Sequence, residues 1–481
     1  MCGLWIASRS LSSGGRSPDP LARNDGGGGS LLNSSSKVTT ARVFAIAGPA
    51  MIANLTTPLI GIVSTTAIGR LGEPALLGGV AMASVIFDCV FWLFAFVRMS
   101  TTAFAAQSLG AGETTELRAI LVRGFIVAAI IGVALIVLQV PLISLLLGAM
   151  GGSDAVTQAA KAYFRIRIWS APLVLINYVV LGWLIGLAHA RLALGLQIAI
   201  NIVNAAATVL LVLVLDFGIA GAAIASVSAE ATGVLLGVLA AGRLTQWKLG
   251  LEPGSLFERA KLLRMLAVNR DIMIRTAALI AVWLFFDAQG ARTGDLALAG
   301  NSILNNFLLI SSFFLDGLAN AAQQLCGQAY GARDRRAFSG AVRLVIAWGF
   351  AFSFVVSAAF LLFGPSLIDT MTTSPDVRAI ARAFLPFVLF APLLGVFAFA
   401  FDGVYIGATW ARDMRNLMVV SLAMFFAAWF ALRGFGNAGL WGALLFHYAA
   451  RGGLQALRYP SLLRATFAGG RAVTSPANPR P

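Results

Sequence analysis

Charge is what this sequence has least of. Only 11% of its 481 residues are Asp, Glu, Lys or Arg, while 59% are hydrophobic and the mean hydropathy is +0.85. A soluble chain carries about 25% charged residues to cover its surface, so this one must hide most of its surface from water. Lysine is nearly absent: four of the 35 cations are Lys, at 37, 161, 248 and 261, and none follows a glycine. That excludes a phosphate-binding Gly-Lys loop, and with it a nucleotide-driven motor of that type within the chain. His189 and His447 stand alone, no His-Glu-x-x-His occurs, and Cys2, Cys89 and Cys326 are scattered. Neither a disulfide framework nor a metal site is indicated, and no enzyme or bound cofactor is expected. The net charge of +15 could suggest nucleic acid, but the cations lie in short clusters between long apolar runs, which points to a lipid bilayer instead.

Those apolar runs are what the sequence has in abundance. Residues 1–42 are a Gly/Ser-rich tail, read as disordered. From there, windows of about 20 apolar residues, enough to cross about 30 Å of hydrocarbon, recur between short polar breaks. They predict an all-α polytopic membrane protein with twelve transmembrane helices, at about 44–68, 77–100, 122–147, 168–188, 192–215, 218–242, 272–291, 296–320, 341–363, 384–408, 416–437 and 438–458. With the N-terminus cytoplasmic, 27 of the 35 Lys and Arg fall in inner segments and 8 in outer ones. The positive-inside rule then puts both termini in the cytoplasm.

A basic linker over 243–271 divides the chain into six-helix bundles at 43–242 and 272–460, with a disordered tail at 461–481. The halves are related. Gln107-Ser-Leu-Gly-Ala111 recurs as Gln328-Ala-Tyr-Gly-Ala332, and Ile185-Gly186 with Ala190-Arg191 as Ile406-Gly407 with Ala411-Arg412, both at an offset of 221. An even number of helices per repeat makes the repeats parallel, related by an axis along the membrane normal.

Charged side chains deep in a bilayer cost about 2.5–3.5 kcal/mol each and should face a cavity or a partner. Asp88, Glu230, Asp316 and Asp402 lie within predicted spans. Each could bind H⁺ or Na⁺ and couple its release to transport; each could equally be a hydrogen-bonded packing residue. Neutral polar residues gather in the first bundle: Asn54 and Ser64 in the first helix, Asn177 and Tyr178 in the fourth, Asn201, Asn204 and Thr208 in the fifth. The last three share one face, which could meet the first helix in a cavity lining or serve interhelical hydrogen bonds alone. Pro49 and Pro58 remove backbone donors from the first helix and make it a gate candidate.

Several strings are familiar. Arg98-Met-Ser-Thr-Thr102, Gln107-x-x-Gly-Ala111, Leu315-Asp-Gly317, Gly327-Gln-Ala-Tyr-Gly-Ala-Arg333 and Asp402-Gly-x-x-Ile-Gly-Ala-Thr409 resemble the DinF-type branch of the multidrug and toxic compound extrusion (MATE) family, in order and over about 43–460. The resemblance implies a two-bundle antiporter of the bacterial inner membrane, monomeric, exporting organic and often cationic or amphipathic compounds against H⁺ or Na⁺. It also marks departures. Ser64, Thr208 and Gln323 stand where the family pattern carries acids, and none of these can take a proton from water near neutral pH. The resemblance places Asp402 at an acidic position the family retains, and Gln323 joins the cavity candidates. Two other readings stay open: a flippase for lipid-linked or amphipathic substrates, or an uncoupled facilitator, on the same scaffold; and a membrane receptor that moves nothing.

Overall fold

The computed structural model describes residues 38–247 and 253–468, except the side chains at 57–60, 149, 253 and 255. Twelve long helical segments follow one another among the described residues: α1 Thr40–Gly69, α2 Pro74–Ala111, α3 Thr114–Val137, α4 Asp154–Gly186, α5 Ala190–Val214, α6 Gly218–Thr245, α7 Arg259–Arg292, α8 Asp295–Gly331, α9 Arg335–Met371, α10 Pro375–Gly407, α11 Ala411–Phe435 and α12 Asn437–Phe467. A short helix, Gln139–Met150, lies between α3 and α4.

Local chemistry sets many of the boundaries. Ser153 caps α4 by accepting from the Val156 amide at 3.4 Å, and Asp334 caps α9 by accepting from the amides of Arg336 (2.8 Å) and Ala337 (2.9 Å). Pro74 and Pro375 occupy the first turns of α2 and α10, where a missing amide costs nothing. The helical run of α2 is interrupted by a turn at Phe94–Ala95.

Ten of the twelve are long and apolar enough to cross a membrane. The other two, α7 with 34 residues and α12 with 31, are long enough but more polar. Their polar residues Arg275, His447, Arg451 and Gln455 are buried in protein, so hydropathy alone undercounts them. Several helices outrun their predicted spans. The linker expected over 243–271 is largely helical: α6 continues to Thr245, and α7 begins at Arg259 because Met265 and Val268, three residues apart, bury one face while Arg259, Lys261 and Arg264 stay outside. Likewise α12 runs through 458 to Phe467, into the stretch read as a disordered tail, whose residues from 469 lie outside the described ones, as do 1–37 of the other tail.

The helices form two bundles, α1–α6 and α7–α12, with unequal cores. One hydrophobic core fills the first bundle and runs on into the C-terminal halves of α8 and α10, through Leu318, Leu325, Phe401 and Tyr405. A second core, built around Phe286, Phe307, Phe425 and Trp441, belongs to α7–α12 alone. The bundles are therefore fused at the end where α2, α8 and α10 terminate. Outside the spans at that end, Lys261 donates to Glu116 at 2.9 Å and lies 2.9 Å from Glu258; those hydrogen bonds hold its ammonium above its ordinary value. Arg123 joins Glu116 at 2.6 Å.

Candidate functional site

The sequence repeats meet at the fused end. Gln107 of α2 donates to the Gly407 carbonyl of α10 at 2.8 Å, and Gly110 packs on the carbonyl of Gln328 while Gly331 packs on the carbonyl of Gln107. The two copies of one motif thus face each other across the bundle interface. Arg42 of α1 closes a further bond to Gln328 at 2.6 Å, and Gln323 donates to the Met99 carbonyl at 2.5 Å. This end is sealed by backbone against backbone, which needs the small residues the repeat supplies.

Above the seal lies a cavity of about 560 Å³ between the bundles. Asn54, Arg98 and Met99 line it from α1 and α2; Arg275, Trp283 and Asp287 from α7; Asp316, Asn320 and Gln323 from α8; Asp402 and Arg451 from α10 and α12. A smaller space of about 80 Å³ beside Pro49 and Asn54 runs back into the first bundle, between α1, α4 and α5.

Its floor is ionic. Asp402 is paired with both Arg275 and Arg451 through one carboxylate oxygen, and Gln455 donates to the other at 3.0 Å. Asp402 and both arginines are buried. Asp316 faces the cavity within electrostatic range of Arg98, Arg275 and Arg451. Asp287, at the far end of α7, accepts from Asn305 at 3.4 Å.

The predicted acids therefore separate into two groups. Asp316 and Asp402 belong to the cavity, whereas Asp88 and Glu230 lie inside the first bundle, sharing the field of Arg167. Among the described residues Arg167 pairs with no carboxylate; it bonds to the Tyr163 hydroxyl at 2.7 Å and sits over the Phe87 ring at 5.0 Å. Glu230 accepts from Asn177 at 2.7 Å, with half-buried Tyr178 next in sequence.

The polar face of α5 does meet α1: Asn201 donates to Thr56 at 2.8 Å. Farther along, Asn204 reaches Ser226 at 3.4 Å and Thr208 reaches Asn204 at 3.5 Å, near the limit of a hydrogen bond. Ser64 is half-buried on α1 and lines neither cavity. Pro49 lies within an unbroken α1 and lines the smaller space; the side chain of Pro58 is outside the described ones.

Sequence reading missed the arginines. The orientation rule groups Arg98, Arg275 and Arg451 with the inner segments, yet they line the cavity. Without them the inner side still holds most of the cations. A signal is available in the sequence: all three lie inside predicted spans, Arg98 in 77–100, Arg275 in 272–291 and Arg451 in 438–458, and a cation there calls for an anion in a neighbouring helix.

The MatE family model matches residues 49–226 and 277–429, the two halves in turn. DNA damage-inducible protein F of Escherichia coli is 36% identical over 425 residues, covering 88% of this chain and 91% of its own. The probable multidrug resistance protein NorM of Rhizobium meliloti is 27% identical, over 83% of this chain and 89% of its own. Among solved structures, an outward-facing multidrug resistance MATE family transporter of the MOP superfamily superposes with a TM-score of 0.79 at 19% identity, over 88% of this chain and 96% of that one. The chain is an integral, multi-pass membrane protein and belongs to the MatE family.

Proposed function

We propose that the chain is a multidrug efflux transporter of the bacterial inner membrane, monomeric and with both termini in the cytoplasm, that exports organic small molecules in exchange for H⁺ or Na⁺. The observation that carries this is the cavity of about 560 Å³ between two repeat-related bundles, sealed at one end only by contacts between the repeats. The names of the relatives support it. By the distribution of cations the sealed end is the cytoplasmic one, so the cavity belongs to an outward-facing state.

Alternating access then has a concrete content. Opening to the cytoplasm requires α2 and α8 to part, breaking Gln107–Gly407, Arg42–Gln328 and Gln323–Met99 together. A substrate or ion shifts that equilibrium only by binding the two states unequally.

Coupling falls to the first bundle. Asp402 is held by two guanidinium groups, and Ser64, Thr208 and Gln323 carry no titratable group. Asp316 sits in the field of three arginines, whereas Glu230 and Asp88 share only Arg167 and form no ion pair with it among the described residues, which makes them the acids least committed to a cation. Export should be measured in energised inverted vesicles with a fluorescent cation, with and without a protonophore. Loss of export on adding protonophore or removing Na⁺ supports antiport; export indifferent to both gradients favours the uncoupled facilitator, and no movement of any solute the receptor. In reconstituted protein, Glu230→Gln should reduce substrate-driven proton or Na⁺ flux by at least about tenfold, and Asp88→Asn by less, because Asn177 fixes only Glu230 in place. Unchanged flux in the pair of variants would remove the first bundle from coupling.

A further inference from the structure

The cavity floor holds more positive charge than its acids cancel. Arg275 and Arg451 both address Asp402, and with Arg98 they make three guanidinium groups against two carboxylates, Asp402 and Asp316. Each guanidinium carries five N–H donors, of which Asp402 takes one from each arginine. Among the described residues the Nε atoms of Arg275 and Arg451 have no partner, although their side chains are only 5% and 3% exposed. A buried cation without its full complement of acceptors is costly, and Arg275 and Arg451, together with the more exposed Arg98, line the cavity. The opposite end differs in sign: Asp287 lies twelve residues beyond Arg275 on α7, about 18 Å along the axis. Between the two, Trp92, Trp283, Leu279 and Leu309 make the walls apolar and aromatic.

We propose that this cavity takes amphipathic organic acids, free anions or the acidic end of zwitterions, with the carboxylate, sulfonate or phosphate seated against Arg98, Arg275 and Arg451 and the apolar body against the two tryptophans. The proposal rests on the efflux reading for its physiological direction but stands on binding alone. A planar acidic group matches the guanidinium fork and satisfies donors that Asp402 leaves over. A simple cation gains no such bond at the floor and meets net positive charge there.

Three dyes with one xanthene skeleton separate the charges: rhodamine 6G, a cation whose carboxyl is esterified; rhodamine B, which keeps the carboxylate and is zwitterionic; and carboxyfluorescein, an anion. Binding to the purified full chain, followed by fluorescence anisotropy, should favour rhodamine B over rhodamine 6G by about tenfold, the scale of one charge-assisted hydrogen bond. Arg98→Gln should bring that ratio close to one, and Arg98→Glu should reverse it. Arg98 suits this test because it lines the cavity without belonging to the Asp402 cluster.

Rhodamine 6G binding as tightly as the two acidic dyes, or a ratio unmoved by Arg98→Glu, would overturn the proposal. Efflux of rhodamine 6G from energised vesicles that the acidic dyes do not inhibit overturns it while leaving the efflux reading intact. Binding of the acidic dyes with no movement of any dye supports the site and removes the efflux reading.

Discussion

Gly331→Ala should stop transport and leave the cavity open to the cytoplasm. A methyl at 331 would fall on the carbonyl oxygen of Gln107, well inside van der Waals contact, and one at 110 would fall on the carbonyl of Gln328 in the same way. Both obstacles are backbone, held within long helices whose own hydrogen bonds prevent local relief. The bundles must separate to admit the methyl, so the cost falls on the sealed state alone. Overpacking of this kind costs about 1–3 kcal/mol, which shifts the ratio of sealed to unsealed states by roughly 5- to 150-fold. An otherwise cysteine-free protein with Asn320→Cys on the cavity wall reads this directly. In inverted vesicles, a membrane-impermeant maleimide applied from the cytoplasmic side should label Cys at 320 at least about tenfold faster when Gly331→Ala is added, and efflux should fall in parallel. Gly340→Ala, where an added methyl meets nothing, is the control and should change neither. Equal labelling rates in the two would show that the motif does not form the seal.

The prominence of this motif in the sequence has the same physical origin. A helix pair in contact through backbone admits very few side chains, so both copies of the repeat keep Gln-x-x-Gly-Ala and the duplication stays legible at an offset of 221. Hydrophobic length alone marked most of the spans, because lipid-facing residues such as Ile130, Val137, Leu361 and Leu362 are apolar for a reason independent of their neighbours. The cavity floor was less legible. Arg275 lies near the start of its predicted span, 272–291, five residues from Arg270 in the basic linker, so position alone does not separate it from the cytoplasmic cations. Only the approach of α10 and α12 shows that it faces Asp402. Similarly, Asp88 and Asp402 look alike as isolated acids in apolar runs, yet one is paired twice and the other not at all by a direct bond among the described contacts.

That difference makes Asp402→Asn the substitution with the largest expected effect on stability. Removing one member of a buried ion cluster costs about 3–5 kcal/mol when it leaves uncompensated charge behind, and here the loss of one carboxylate strands two guanidinium groups together. Removing either arginine is a smaller insult, because Asp402 keeps the other and Gln455 besides. The expected order is therefore asymmetric: Asp402→Asn should lower the Tm of the detergent-purified protein by several degrees more than Arg451→Gln. The double variant Asp402→Asn with Arg451→Gln should recover part of the loss, since it strands one guanidinium instead of two. A freely titrating coupling site behaves differently. Asparagine imitates a protonated carboxyl, so at such a site Asp402→Asn would leave Tm nearly unchanged and abolish only the dependence of export on the ion gradient. Thermal unfolding of the three variants, alongside gradient-driven export for those that fold, separates the two roles. A Tm for Asp402→Asn equal to or above that of Arg451→Gln would mean that Asp402 is a coupling acid and that the two arginines hold it only in this conformation.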